Sequence, residues 1–224
     1  QYIMLLFLWN KRCCCFLNTE DYFMKGIKLL AATAALTVSS VAVAGPNYTY
    51  AQLGYLAIDS EGKEDSGGFE LKGSFGFADV FHVGASIAAV ELEGGKSKDG
   101  ADVDAYDIYF GYNPAITDNI DAVIRVGFEE AEFKTQDNPR VKEEALFLSF
   151  GTRAMVAENF ELNAFATYTA GNVKGNQPGD TKEDFVDWDY SVSGIYSFTE
   201  MFAAGVQLDI DTVNTGTLFA RVNF

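Results

Sequence analysis

The stretch that decides the fold is YDIYFGYNPAITDNIDAVIRVGFEEAEF, residues 106–133. It contains two runs in which apolar and polar residues alternate, joined by a polar turn at residues 113–119. Every second residue from Tyr106 to Tyr112 is large and apolar, and every second residue from Ala122 to Phe128 is apolar. A period of two residues is typical of β-strands, so the stretch predicts a β-hairpin.

The two faces of this hairpin predict its surroundings. The apolar face carries aromatic side chains, whereas the opposite face carries Asp107, Asp121, Arg125 and Glu129. An apolar exterior with aromatic girdles and a polar lumen is typical of a membrane barrel. A one-residue slip of the second strand would place Arg125 against lipid, at a cost of about 2–4 kcal/mol near the midplane. The pattern therefore fixes which face points outward.

The turn recurs along the chain as a small residue, an acid, a variable residue and a large apolar residue. Its acids are Asp79, Asp118, Glu158 and Glu200, at spacings of 39, 40 and 42 residues. Propellers and helical solenoids also repeat at such lengths, but each unit here holds two strands of roughly ten residues. The sequence therefore predicts an all-β, up-and-down antiparallel transmembrane β-barrel of ten strands, with eight as the alternative.

Tight turns alternate with long polar connections. Outer-membrane barrels have short periplasmic turns and longer extracellular loops, so both termini are expected in the periplasm. We expect five acidic extracellular loops, at residues 59–68, 93–102, 134–143, 171–185 and 211–216.

The beginning of the chain indicates export. Residues 24–44 combine Lys25 and Lys28, an apolar run at 29–43 and an A-x-A site at 42–44, which predicts a signal peptide. Residues 45–224 then form the barrel domain, and residues 1–23 are interpreted as upstream sequence wrongly included in the reading frame. A membrane anchor in residues 1–23 is the alternative.

The composition of residues 45–224 excludes several kinds of site. These residues contain 12 basic and 30 acidic side chains, a net charge of −18, and counterion release on nucleic acid requires cationic side chains. The three cysteines lie at positions 13–15, so no disulfide or zinc–thiolate site is expected in the barrel. We predict no nucleic-acid partner, no cofactor and no metal site.

Twelve charged residues are predicted to face the lumen. One interpretation is a salt-bridged, hydrated plug, and the other is a narrow cation-preferring pore lined by carboxylates. Eight strands are just filled by side chains and sixteen leave a channel, so ten strands favour the plug. The predicted lumen charges are Glu70, Lys72, Asp107, Asp121, Arg125, Glu129, Arg153, Glu161, Asp187, Asp189, Asp209 and Arg221.

The last strand ends on an aromatic residue. Leu218, Ala220, Val222 and Phe224 alternate up to the final phenylalanine, which resembles the C-terminal signal read by the barrel-assembly machinery of Gram-negative bacteria. The resemblance implies that this machinery is a partner during biogenesis.

Residues 45–224 as a whole resemble small outer-membrane β-barrels of the OmpA/OmpX-like or porin-like superfamily. Two segments, NYTY…GY at 47–55 and GYN…DN…RV at 111–126, are similar to a quorum-regulated family of xanthomonad outer-membrane proteins. The resemblance implies a location in the bacterial outer membrane, with its lipid and lipopolysaccharide as partners. It carries no catalytic residues.

The only histidine, His82, follows the first periplasmic turn and is predicted to face the lumen as a structural residue. Enzymatic outer-membrane barrels, such as omptin-like proteases and PagP-like acyltransferases, resemble one another in placing a histidine near the outer rim. A general base must first be within reach of its substrate, so an envelope hydrolase is disfavoured. The predicted function is a non-enzymatic barrel with an envelope-structural or surface-interaction role, with a cation-preferring pore as the alternative.

Overall fold

The computed structural model describes residues 45–59, 66–92, 101–135, 138–175, 182–211 and 214–224. Among these residues, no helix is long and apolar enough to cross a membrane. The strands are β1 (Tyr50–Asp59), β2 (Ser66–Phe77), β3 (Phe81–Leu92), β4 (Ala101–Tyr112), β5 (Ala115–Thr117), β6 (Ile120–Thr135), β7 (Asn138–Ala157), β8 (Phe160–Gly175), β9 (Glu183–Ser197), β10 (Phe202–Ile210) and β11 (Asn214–Asn223).

The strands form a closed antiparallel barrel. Each long strand pairs with its neighbours in sequence, β4 pairs with β6 across the short β5, and β1 pairs with β11. Ten long strands therefore make the wall, which confirms the predicted fold and shows that the alternative of eight strands is wrong. The short β5 lies inside the predicted turn at residues 113–119 and adds no wall strand.

The first and last strands close the wall in a continuous register that runs from Tyr50 opposite Asn223 to Asp59 opposite Asn214. The backbone N–H of Phe224 donates to the carbonyl of Thr49 at 2.9 Å. The barrel is thus sealed along the β1–β11 seam down to the final residue.

The outer surface carries the apolar belt that the alternation predicts. Outward-facing side chains remain largely exposed around the wall, for example Ile108 at 59%, Leu146 at 65% and Leu218 at 65%. A closed barrel has no free strand edge, so it satisfies its backbone hydrogen bonds while presenting this belt to lipid.

Four neighbouring strands are longer than the sequence predicts. Strands β6–β9 have 15 to 20 residues and the other six wall strands have 9 to 12, so we call β6–β9 the tall wall. The predicted loops at 134–143 and 171–185 are therefore wrong for most of their length. Residues 134–135 and 138–143 lie in β6 and β7, and residues 171–175 and 183–185 lie in β8 and β9.

The physical reason lies in the pairing of β6 with β7. Glu132 lies opposite Lys142 on the outer face, and Phe133 lies opposite Val141 on the inner face. Opposite charges across a strand pair stabilise a sheet, so a charged outer face continues the strands above the apolar belt. Of the other three predicted loops, residues 60–65, 93–100 and 212–213 lie outside the described residues. Their ends are strand rather than loop, because residues 66–68, 101–102 and 214–216 lie in β2, β4 and β11.

Candidate functional site

The alternation of the strands places all twelve predicted lumen charges on the inward face. Asp121, Arg153, Glu161 and Arg221 are buried, and the other eight are half-buried. The buried four lie toward the end of the barrel with the short turns, which we call the turn end. The half-buried acids lie mostly toward the opposite, loop end.

An ion pair anchors the turn end of the lumen. The Arg153 guanidinium donates from Nε to Glu161 Oε1 at 2.8 Å and from Nη2 to Glu161 Oε2 at 3.0 Å. Arg153 is 2% exposed and Glu161 is 6% exposed. A two-point pair of this kind fixes both side chains and leaves neither charge buried without a partner.

The segment before β1 enters the same region. The Tyr48 hydroxyl donates to Asp121 Oδ2 at 2.9 Å, and the Arg153 guanidinium lies 4.3 Å from the centre of the Tyr48 ring. Arg153 Nη2 also donates to the carbonyl of Asn47 at 2.9 Å. Tyr48, which precedes β1, therefore acts as a stopper: its side chain fills the lumen at the turn end.

His82 lies beside this stopper and is 0% exposed. Its ring centre is 4.7 Å from that of Tyr48, and its Nδ1 is 2.8 Å from Asn113 Oδ1. Because that amide oxygen accepts, Nδ1 carries the proton, and the buried Nε2 has no hydrogen-bond partner. The histidine faces the lumen at the turn end, where its sequence position places it, and it is sealed from solvent.

Aromatic side chains fill the lumen by lying over glycines on the neighbouring strand. A Cβ built on Gly111 would come within 2.1 Å of the His82 ring, and one on Gly84 within 2.3 Å of the Tyr109 ring. In each case the glycine lies directly opposite the ring-bearing residue. The same arrangement joins Gly127 with Phe147, Gly151 with Phe165, and Gly205 with Phe219.

The remaining lumen arginines pack on inward-facing aromatic rings. The Arg221 guanidinium lies 3.9 Å from the centre of the Tyr50 ring and donates from Nη2 to Gln52 Oε1 at 2.8 Å. The Arg125 guanidinium lies 4.2 Å from the centre of the Phe165 ring. Cation–π contacts of this kind stabilise charge where water is scarce. Neither ring is among the predicted site residues, although Phe165, an inward aromatic residue opposite Gly151, carries a signal in the sequence.

Toward the loop end the lumen is acidic. Five acids there are half-buried, and each lies close enough to another charged side chain for electrostatic interaction. They are Asp107, Glu129, Asp187, Asp189 and Asp209. Among the described residues, Lys72 lies in this region and pairs with Glu70 at 3.1 Å.

Glu143 is not among the predicted lumen charges, because the sequence predicts a loop at residues 134–143. It faces inward on the part of β7 that rises above the apolar belt. Burial raises its pKa, and the negative charges of Asp187 and Asp211 raise it further. Within the described residues, no group of three His, Cys, Asp or Glu side chains is arranged to hold a metal ion.

The mouth above these acids is apolar on its inner side. Inward positions there are half-buried rather than sealed, and they include Ile58, Val90, Val103, Phe133, Val141, Val173 and Phe185. Apart from Glu143, the polarity of the wall above the belt is therefore reversed, with apolar side chains inside and charged ones outside.

The outer side of this extension forms an ion-paired surface that we call the outer charged patch. Lys142 Nζ lies 2.8 Å from Glu130 and 3.0 Å from Glu144, and Lys174 Nζ lies 3.0 Å from Glu144. Hydrogen bonds to Glu130 and Glu144 raise the pKa of Lys142, so its ammonium stays charged. The patch consists of Asp104, Glu130, Glu132, Lys134, Arg140, Lys142, Glu144 and Lys174.

Comparisons with known proteins give similarity in fold alone. No protein-family model and no curated protein matches the sequence. An outer membrane channel from Pseudomonas putida F1 is similar in structure at 10% identity, with a TM-score of 0.46, over 83% of this chain and 99% of that one.

Two further solved structures are similar. The outer membrane protein OprG from Pseudomonas aeruginosa has 13% identity and a TM-score of 0.42, over 83% of this chain and 99% of that one. The attachment invasion locus protein Ail of Yersinia pestis has 13% identity and a TM-score of 0.36, over 79% and 97%. The narrower likeness to xanthomonad proteins stays a prediction.

The chain's own geometry identifies the class of barrel. Ten antiparallel strands close on themselves, the exterior belt is apolar, and the lumen is polar and charged. Only helices and closed barrels satisfy their backbone hydrogen bonds inside a bilayer. The chain therefore has the fold of a transmembrane β-barrel, closed by ten antiparallel strands.

Proposed function

We propose that this protein is a non-enzymatic outer-membrane barrel, closed to ions at its turn end, that acts through its loop end at the cell surface or in the envelope. The observation that carries the proposal is the filled turn end of the lumen. There Tyr48, His82, Arg153 and Glu161 are each less than 10% exposed and bonded or stacked with one another.

The same observation supports a non-enzymatic role. His82 is enclosed by Tyr48 and Tyr109, and a general base needs a substrate proton within reach. The barrel-assembly machinery is a proposed partner during biogenesis, on the basis of the alternation from Leu218 to Phe224.

The second candidate function is a narrow cation-preferring pore. The acidic loop end of the lumen favours it, because rings of carboxylates select cations in channels. Conduction would require Tyr48 to leave the lumen, since its hydroxyl is bonded to Asp121 on the opposite part of the wall.

Ion conductance across a planar bilayer tests the proposal with protein purified from outer membranes. We expect the wild-type protein to be silent and Tyr48→Ala to produce cation-selective steps, because the substitution removes the stopper and leaves the acids in place. Tyr55→Ala is the matched control, since Tyr55 faces lipid and is 51% exposed.

Cation-selective steps from the folded wild-type protein would overturn the proposal and favour the pore. The reversal potential in a salt gradient measures the cation selectivity. Adding Asp107→Asn and Asp189→Asn to the conducting variant should reduce this selectivity.

A further inference from the structure

The basic side chains that face the lumen come together around one buried tyrosine. Four basic residues of the described strands face inward, and the phenol of Tyr50, which is 6% exposed, interacts electrostatically with all of them. We call these four residues the cationic waist, and they are Lys72, Arg125, Arg153 and Arg221. Because Lys72 lies toward the loop end and Arg153 toward the turn end, the waist marks the boundary between the two ends.

Two members of the waist are neutralised by carboxylates of the wall. Lys72 pairs with Glu70 at 3.1 Å. Arg153 forms its two-point pair with Glu161. A buried charge is stable when a partner of this kind compensates it.

The other two members, Arg125 and Arg221, lack such a partner. Among the side chains that the structure describes, neither guanidinium forms an ion pair. Arg221 has five N–H donors, and the neutral Gln52 accepts from two of them, at 3.2 and 2.8 Å. The buried Nε of Arg125 has no hydrogen-bond partner, and its guanidinium lies over the ring of Phe165. The waist therefore contains two positive charges without a countercharge.

The two uncompensated arginines reach the lumen from opposite sides. Arg125 lies in β6 and Arg221 lies in β11, which are five strands apart in either direction around the ten-strand wall. The Tyr50 phenol on β1 is within electrostatic range of both. Two guanidinium groups that face each other across a closed lumen form a site whose charge and donors suit an anion.

We propose that the cationic waist binds one small oxyanion, a carboxylate or inorganic phosphate, between Arg125 and Arg221. A guanidinium presents a planar fork of N–H donors that matches the oxygens of such an anion. The bound anion supplies the countercharge that the other two members of the waist receive from the wall. The inference goes beyond the proposed function, because binding requires only the folded barrel and does not depend on conduction.

The test measures binding of radiolabelled phosphate and, separately, of radiolabelled acetate by equilibrium dialysis. The protein is purified from outer membranes in detergent and held at constant pH and ionic strength. The variants are Arg125→Gln, Arg221→Gln and Arg125→Lys, which keeps the charge but removes the fork. Arg140→Gln is the matched control, because the Arg140 side chain is outside the lumen and 64% exposed.

We expect about one anion per barrel, and an affinity about tenfold lower in each glutamine variant, because each loses charge-assisted hydrogen bonds. Arg125→Lys should lie between the wild type and Arg125→Gln, and Arg140→Gln should bind as the wild type does. Asp107→Asn should bind more tightly, because it removes a negative charge that interacts with Lys72. A gain of affinity in this variant cannot be imitated by a loss of folding.

Three results would overturn the proposal. They are the absence of saturable binding of both anions to the folded wild-type protein, an unchanged affinity in both glutamine variants, and equal displacement by chloride and by the oxyanions. The order in which unlabelled acetate and phosphate displace the label identifies the preferred oxyanion. Conductance of the same preparations reports separately on the proposed closure of the lumen.

Discussion

The two ends of the lumen are built from the same strands but differ in how their charges are held. At the turn end, the Arg153–Glu161 pair is buried under Tyr48, and each charge has a partner. At the loop end, acids outnumber bases and remain half-exposed to solvent. The difference teaches that strand alternation decides which side chains point into the lumen, whereas their packing decides whether the lumen is closed at a given height.

The most disruptive change should be loss of the cation at the turn end. Arg153→Ala leaves Glu161 buried without a partner, which is expected to lower the free energy of unfolding by about 3–5 kcal/mol. Urea unfolding in lipid vesicles measures this. Lys174→Ala breaks an exposed pair and should cost far less stability, so equal losses in the two variants would contradict the contrast.

A smaller loss of stability is expected when a side chain is added to one of the glycines over which an aromatic ring lies. Gly111→Ala would place a methyl group within 2.3 Å of His82 Nε2, and overpacking of this kind costs about 1–3 kcal/mol. The same unfolding measurement applies, and His82→Ala in combination should recover part of the loss. Gly216→Ala is the control, because the nearest heavy atom to its Cβ would be a side-chain carbon of Leu208 at 3.8 Å.

The smallest effect concerns pH at the loop end. The pKa of Glu143 is raised in the folded protein, so folding disfavours the ionised form, and stability should increase as the pH falls through the folded pKa. Glu143→Gln should therefore stabilise the protein at pH 7, by less than about 1 kcal/mol because half-exposed charges are screened.

Unfolding measured from pH 5 to 8 should show a weaker pH dependence in this variant. Glu161→Gln, the equivalent substitution at the turn end, should instead destabilise, because it removes a carboxylate from Arg153. A loss of stability in both variants would contradict the difference between the two ends.

Alternation in the sequence was enough to predict the ten strands and the inward side of the twelve lumen charges. It could not predict the role of Tyr48, because this residue precedes β1 and its direction follows no strand period. It also misplaced Glu143, since the many charges of residues 134–143 predict a loop, whereas residues 138–143 continue β7 and place Glu143 on its inner face. Periodicity is informative where one face meets lipid, and less so where both faces meet water.

The seam between β1 and β11 has a consequence for the order of folding. Its contacts join residues about 170 positions apart, such as Gln52 and Arg221. Closing so long a loop costs conformational entropy, and the contacts of the seam can offset this cost only after the whole chain has been made. Contacts of such sequence separation make folding slow and leave strand edges open meanwhile. The edge of β1 that pairs with β11 therefore stays unpaired until the last strand has been made.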